Sequence, residues 1–310
     1  MDEALVAQLR RFNRVVTQHV GALNERFLDR SHSLGEARVM WEIGAQGCDV
    51  RALRLRLGLD SGYLSRLLGR LVAAGLVSIG QNASDRRIRT ARLTASGLRE
   101  RSVLDARSNA LAESLLAPLA PEQRDRLCAA MADVERLLTA ASVEIALIDP
   151  ARPEARDCIQ SYFAELDRRF DTGFDPSRTI SADDVELRPP AGLLVVAWLQ
   201  GRPVGCGALK FHGDHPAELK RMWVAETARG LGIGRRLLAH LEQLAANHGA
   251  GTVRLETNGT LAEAIRLYRS SGYVEIPAFN DEPYAHHWFE KRLADDSSSL
   301  APDSRPGGWL

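Results

Sequence analysis

Arg229-Gly230-Leu231-Gly232-Ile233-Gly234 is the stretch on which the fold of this chain turns. Ahead of it, Glu218-Leu219-Lys220-Arg221-Met222-Trp223-Val224 reads as a strand. Behind it, Ile233, Leu237, Leu241 and Leu244 repeat on one face of a helix. Glycines let an anion approach the backbone closely, and a helix N-terminus offers free N–H groups and a positive dipole end. Arg229 and Arg235 can add charge-assisted hydrogen bonds. The segment therefore reads as a phosphate cradle. A dinucleotide site calls for strand–GxGxxG–helix in a parallel sheet with an acid on the next strand. Here the spacing is RxxGxG and the elements before it read as antiparallel hairpins. That pattern favours the pyrophosphate of coenzyme A over NAD.

Outward from the loop, residues 143–293 alternate strands and helices. Val143–Ile148 is expected as a strand, Pro153–Phe170 as a helix and Asp171–Pro190 as loop. Leu193–Leu199 and Gly205–Phe211 form a hairpin across Gly201-Arg202-Pro203. Val253–Thr257 is a strand, Leu261–Ser270 a helix, and Tyr273–Ile276 and His287–Lys291 are strands. Residues 294–310 are Ser/Pro/Gly/Asp-rich and are expected to form a disordered tail. No internal repeat is visible.

Before residue 143 the period is helical. Leu5, Leu9, Phe12, Val16 and Val20 recur at spacings of three and four. Helices follow at about Glu36–Gly44 and Val50–Leu57. Asp60 or Ser61 caps a fourth, whose apolar stripe is Leu64, Leu67, Leu68, Leu71 and Val72. Leu76–Ile79 and Ala91–Leu93 are strands of a hairpin whose turn is Gln81–Asp85, followed by Arg86, Arg87, Ile88 and Arg89. Two long helices, Ala95–Leu116 and Glu122–Ala141, are separated by Pro118 and Pro121. This order is that of a winged helix-turn-helix. The fourth helix turns Ser61, Ser65, Arg66 and Arg70 outward, where they can reach base edges and phosphates. Arg86, Arg87 and Arg89 face the minor groove or backbone. A helical interaction module with a solvated arginine face is the alternative.

Residues 143–293 resemble the GNAT superfamily of N-acetyltransferases. The resemblance is carried by Leu219 to Val224, Arg229 to Gly234, Leu255-Glu256-Thr257-Asn258, and Ala264-Ile265-Arg266-Leu267-Tyr268 with Gly272-Tyr273. It implies an α/β (α+β) fold whose mixed, largely antiparallel sheet splays between two strands, with acetyl-coenzyme A as donor and its pantetheine arm in the gap. Main-chain groups of Met222 and Val224 would pair with pantetheine, and Trp223 and Ala264 are carried over as further cofactor positions. Tyr268 takes the place of the acid near the sulfur. An amine attacks the thioester directly, so a base must take its proton. Glu218, at the start of the strand leading to the loop, is the candidate base, against a salt-bridging carboxylate. Asn258 either bonds the cofactor or ends its strand. Arg221 is weighed between a substrate carboxylate and a structural ion pair, the latter preferred. Cys206 reads as packing. His286 and His287 are adjacent and so face opposite ways, and no metal is expected. Ile276–Tyr284 resembles the segment of members that act on small amines or amino acids.

Residues 1–142 resemble the MarR family of transcriptional regulators. The matching residues are Leu64-Ser65-Arg66-Leu67, Leu71, Gly75-Leu76-Val77, Asp85-Arg86-Arg87 and Leu93-Thr94-Ala95-Ser96-Gly97. The resemblance implies a mostly α winged-helix domain. It also implies a homodimer built from the first and last two helices, and a pseudo-palindromic double-stranded DNA operator.

Composition agrees with two different partners. The 310 residues carry zero net charge. Residues 1–142 hold 21 Arg, no Lys and 16 acids (21 − 16 = +5), and residues 143–310 hold 19 basic residues and 24 acids (19 − 24 = −5). The 45% apolar content is that of a globular chain. The start, Met1-Asp2-Glu3-Ala4, has no basic n-region and no long apolar run, so neither a signal peptide nor a membrane span is expected, and the four scattered cysteines suit a reducing cytoplasm. The preferred reading is a bifunctional regulator and acetyltransferase of a small amine such as an amino acid. The alternatives are a regulator whose second domain only senses acetyl-coenzyme A or an amine, and a protein-lysine acetyltransferase.

Overall fold

A computed structural model describes residues 2–21, 27–81, 88–180, 182–213 and 215–293. The chain divides into two compact units, Met1–Ala132 and Asp133–Leu310. In the first, α1 (Glu3–His19) and a 3-10 turn (Phe27–Asp29) precede α2 (Leu34–Ile43), β1 (Cys48–Asp49), α3 (Val50–Leu57) and α4 (Ser61–Ala73). Then come β2 (Val77–Gln81), β3 (Arg89–Leu93), α5 (Ala95–Leu116) and α6 (Pro121–Ala141). The division between units falls inside α6, before the change of period at Ser142.

Local chemistry sets these boundaries. Asp60 caps α4 by accepting from the N–H of Tyr63 at 2.8 Å, and Asp49 caps α3 through Ala52 at 2.7 Å. Ser33 and Glu36 form a reciprocal capping box on α2. Helix α4 buries Leu64, Leu67, Leu68 and Leu71 against Met40, Ile43 and Leu53, so its other face is left to solvent. Val72, expected in the buried stripe, is 43% exposed. Pro121 does not merely break the chain: it is the first residue of α6, where its missing N–H costs nothing. Strand β1 was not expected. Its two residues pair with Ala91 and Thr90 of β3, too short a run for any periodicity to reveal.

The second unit contains β4 (Glu144–Leu147), α7 (Pro153–Arg169), β5 (Gly192–Leu199), β6 (Arg202–Lys210), β7 (Ala217–Val224) and α8 (Ile233–Asn247). It ends with β8 (Thr252–Thr257), α9 (Ala262–Ser270), β9 (Val274–Ile276) and β10 (His287–Arg292). Seven strands run in the order β4-β5-β6-β7-β8-β10-β9, antiparallel except for β7 and β8. This is the mixed, largely antiparallel sheet expected. Leu237 and Leu241 of α8 are fully buried in the same core as Val195, Leu209 and Leu255 of the sheet.

Two irregularities shape the site. Strands β7 and β8 pair only at Ala217 with Val253 and Glu218 with Arg254, and part beyond. A β-bulge sits just after the point of separation. Cys206 pairs with Trp223 and Ala208 with Lys220, so Arg221 and Met222 stand opposite Gly207 alone. Arg221 takes up the extra residue at φ 54°. A Cβ on Gly207 would come within 2.6 Å of Leu241 Cδ1 and 2.7 Å of Met222 Sδ, so any larger residue there would push these side chains aside.

The chain has three lysines, and each sits in an ion pair: Lys210 with Glu186 at 2.8 Å, Lys220 with Glu256, and Lys291 with Glu242 at 2.7 Å. No helix among the described residues is long and apolar enough to cross a membrane.

Candidate active site

The phosphate cradle opens on a cavity of about 610 Å³. Gly230 and Gly232 adopt φ 80° and 72°, a region disfavoured for any side chain, and a Cβ on either would project into open space. Gly232 is the N-cap of α8 and has no side chain to cap it, so the first N–H groups of the helix are left for a ligand. Arg229, Gly230, Gly232, Ile233, Gly234 and Arg235 line the cavity with Met222, Trp223, Val224 and Ala264. Leu231 packs against the core instead. A pyrophosphate fits this cradle.

The two arginines are placed differently. Arg229 directs Nη2 to both oxygens of Glu165 on α7, at 2.5 and 2.6 Å. Glu165 also accepts from Trp223 Nε1 at 2.9 Å and Arg169 Nη1 at 3.2 Å. Burial works to raise the Glu165 pKa, but the bonds from Trp223, Arg229 and Arg169 outweigh it and hold the carboxylate below its usual range. Arg229 therefore orders the loop through α7 in this structure. Arg235 is exposed, and among the described residues its side chain has one hydrogen-bond contact, to Ser270 Oγ at 3.5 Å.

A second cavity, about 110 Å³, lies in the gap between β7 and β8 and shares Tyr162, Leu166, Met222, Leu261, Ala264 and Tyr268 with the first. Tyr268 is 5% exposed and stands at the junction of the two. Burial pushes its hydroxyl pKa well above that of a free tyrosine, so it stays a proton donor at neutral pH. Leu219, Lys220, Arg221 and Met222 all line the small cavity. Four consecutive residues on one wall is not the alternation of a regular strand, and the bulge is the reason.

The structure does not bring Glu218 to either cavity. Its carboxylate is held by Arg254 at 2.9 Å, Lys220 at 3.4 Å and His212 at 3.5 Å. Burial opposes its ionisation, yet Lys220, Arg254 and His212 keep its pKa below the usual carboxylate range. That is a structural carboxylate, and a poor proton acceptor. Glu256, on β8, does line the small cavity. One of its oxygens accepts from Lys220, and the other lies 3.5 Å from Asn280 Nδ2. Glu282 lines it too, but is spent on Thr179 Oγ1, Ile180 N and Tyr284 N. Asn258 bonds the loop on both ends, donating to Tyr284 O at 2.7 Å and accepting from Thr260 N at 2.9 Å. Arg221 has no carboxylate within ion-pair distance among the described residues, contrary to the structural pair preferred from sequence. Cys206 is fully buried, its thiol 3.4 Å from Arg221 O, as packing requires. His287 meets Glu275 at 2.6 Å and His286 accepts from Gly259 N at 3.2 Å. No cluster of metal-ligating residues is present among the described residues.

In the first unit, Ser61, Ser65 and Arg66 are exposed on α4. Ser61, Ser65 and Arg89 line one concavity with Arg51 and Arg54 of α3. The Arg66 guanidinium stacks 5.8 Å from the ring centre of Tyr63. Arg70 is exposed but tied to Glu36 at 2.5 Å, which draws it toward α2. Arg86 and Arg87 lie outside the described residues.

Residues 157–273 match the model of the acetyltransferase (GNAT) family, and residues 31–88 that of the MarR family. An IAA acetyltransferase of Azospirillum brasilense is 35% identical over 130 residues, 42% of this chain and 84% of that protein. The chain belongs to the acetyltransferase (GNAT) family. Human N-acetylaspartate synthetase is 35% identical over 93 residues, but the match spans only 31% of that protein and 30% of this one. A solved GNAT acetyltransferase of Elizabethkingia anophelis with acetyl-CoA bound is 18% identical, with 49% of this chain and 99% of that one covered and a TM-score of 0.36. The chain is thus a GNAT acyltransferase fused to a MarR-family region.

Proposed function

We propose that the protein transfers acetyl from acetyl-coenzyme A to the amine of a small molecule such as an amino acid, and that it does so within a homodimeric DNA-binding regulator. The meeting of the two cavities at Tyr268 carries the enzymatic half of this reading. The larger has the glycine cradle and free helix N–H groups that a pyrophosphate needs, and the smaller has room for a modest acceptor. Bound acetyl-coenzyme A supplies an activated thioester. Backbone N–H groups of the loop and of α8, with Arg235, hold the phosphates. Met222 and Val224 offer main-chain groups along the separated edge of β7. Glu256 accepts the amine proton, and Tyr268, kept protonated by burial, donates to the departing sulfur. One relative, N-acetylaspartate synthetase, is named for an acylated amino acid, which supports an acceptor of that size.

The test is turnover of acetyl-coenzyme A against a panel of amines, by wild type and Tyr268→Phe. Tight acetyl-coenzyme A binding with no transfer to any amine would make the domain a sensor. Transfer to peptide lysines alone would make it a protein acetyltransferase. For the first unit, exposed Ser61, Ser65, Arg66 and Arg89 support DNA binding. Arg66→Ala is expected to weaken binding to the protein's own promoter region and to lower its salt dependence by about one counterion. Unchanged affinity and slope would count against α4 as the reading helix.

A further inference from the structure

We infer that Arg221 is the anchor for a carboxylate on the acceptor, so that the enzyme acts on amino acids or other carboxylate-bearing amines. This rests on the acyl-transfer reading above. Four observations converge on it. Arg221 lines the small cavity where the acceptor must sit, on the side of Tyr268 away from the phosphate cradle. Its guanidinium is held over the Phe163 ring at 4.7 Å and donates one hydrogen bond, from Nη2 to Ala182 O at 2.5 Å. Those contacts fix the plane of the fork and leave most of its five N–H groups without a partner among the described residues. Its Nε is buried without a partner, although buried polar groups are nearly always paired. No carboxylate of the described residues stands within ion-pair distance to neutralise it, whereas Lys220 beside it is matched by Glu256 and Glu218.

Backbone geometry argues the same way. A side chain at φ 54° is disfavoured, and at a cavity wall such strain survives because the position it gives the side chain is needed. Regular alternation along β7 would put Arg221 on the face opposite Lys220 and Met222. The bulge returns it to their wall. Cys206 Sγ against Arg221 O at 3.4 Å braces this turn of the chain from behind. A planar, half-buried guanidinium, its Nε shut from water and no carboxylate of the described residues in ion-pair reach, matches a carboxylate in a two-pronged arrangement. Glu256 on the facing strand lines the same small cavity, where it can meet the amine of a molecule that Arg221 holds by its carboxylate.

Matched pairs test this: several amino acids and the amines left when each loses its carboxyl group, assayed with the full-length wild type. The amino acid of a pair is expected to have a kcat/KM at least about 100-fold higher, because a site built around a charged partner rejects the analogue lacking it. Arg221→Gln should raise KM for the amino acids by a similar factor and leave KM for the decarboxylated amines and for acetyl-coenzyme A unmoved. Arg221→Lys should recover part of the loss. Equal use of both members of every pair by wild type would overturn the inference and leave acetyl transfer standing. Absence of transfer to any amine, with acetyl-coenzyme A bound in calorimetry, would overturn the acyl-transfer reading and this inference with it. Because the paired comparison needs no variant, it decides even if Arg221 substitutions misfold.

Discussion

Tyr268 and Glu218 show how far one residue's chemistry follows from its surroundings. Tyr268 is shut away from water, so its hydroxyl titrates well above neutral pH and keeps its proton throughout the physiological range. Tyr268→Phe is expected to lower kcat by about 100- to 1000-fold with acetyl-coenzyme A affinity retained, measured by steady-state kinetics and calorimetry. Glu218 instead serves stability. Its folded pKa lies below the free value of 4.5, so its contribution is fully present above that value and is lost as pH falls through the folded one. Glu218→Gln should cost about 3 kcal/mol at neutral pH, since it leaves Arg254 and Lys220 with one partner fewer. It should also flatten the acid limb of stability in urea titrations at successive pH values. The position of Tyr268 on α9, at the junction of the two cavities, was legible in the sequence because it belongs to a motif of neighbours on one helix. For Glu218 the sequence left a base and a salt-bridging carboxylate side by side, and the structure places it in ion pairs outside both cavities. Its environment depends on Arg254 across a parallel pair of strands and on His212, neither of which any local pattern brings near.

The loop and helix α8 form the element whose form was plainest in the chain. Glycine spacing, an apolar stripe of period near 3.6 and the strand before it are all local signals, and the structure follows them. Gly232→Ala should add strain at φ 72° and push a methyl group into the cradle. Expected outcomes are a loss of about 1–2 kcal/mol in stability and at least a tenfold higher KM for acetyl-coenzyme A, with kcat changed little. The opposite holds for β7. Its wall of four adjacent residues, its bulge at Gly207 and the positive φ of Arg221 come from register with β6, which is a tertiary property. Glu256 was quoted only as part of a motif for the same reason. Whether it or Glu218 faces the cavity is decided by where β7 and β8 stop pairing.

At the scale of the whole molecule, α1 is the unexplained surface. None of its residues is buried among the described residues, and Leu5, Leu9, Phe12 and Val16 remain 37–66% exposed along one face. A stripe of that size is expected to close a homodimer. Phe12→Asp should yield a monomer in sedimentation and weaken DNA binding by at least tenfold, as two half-sites can no longer be held together. Wild-type sedimentation as a monomer at micromolar concentration would remove this role from α1. The arginines of the first unit carry a last consequence. An enzyme that makes amides from amines endangers any amine on its own surface. Residues 1–142 contain 21 guanidinium groups and not one ε-amine, and the three lysines elsewhere are tied to Glu186, Glu256 and Glu242. Long incubation with acetyl-coenzyme A should therefore add no mass to the side chains of residues 1–142 in peptide mass spectra. The positive charge of residues 1–142 rests entirely on guanidinium groups, which amine acylation leaves untouched.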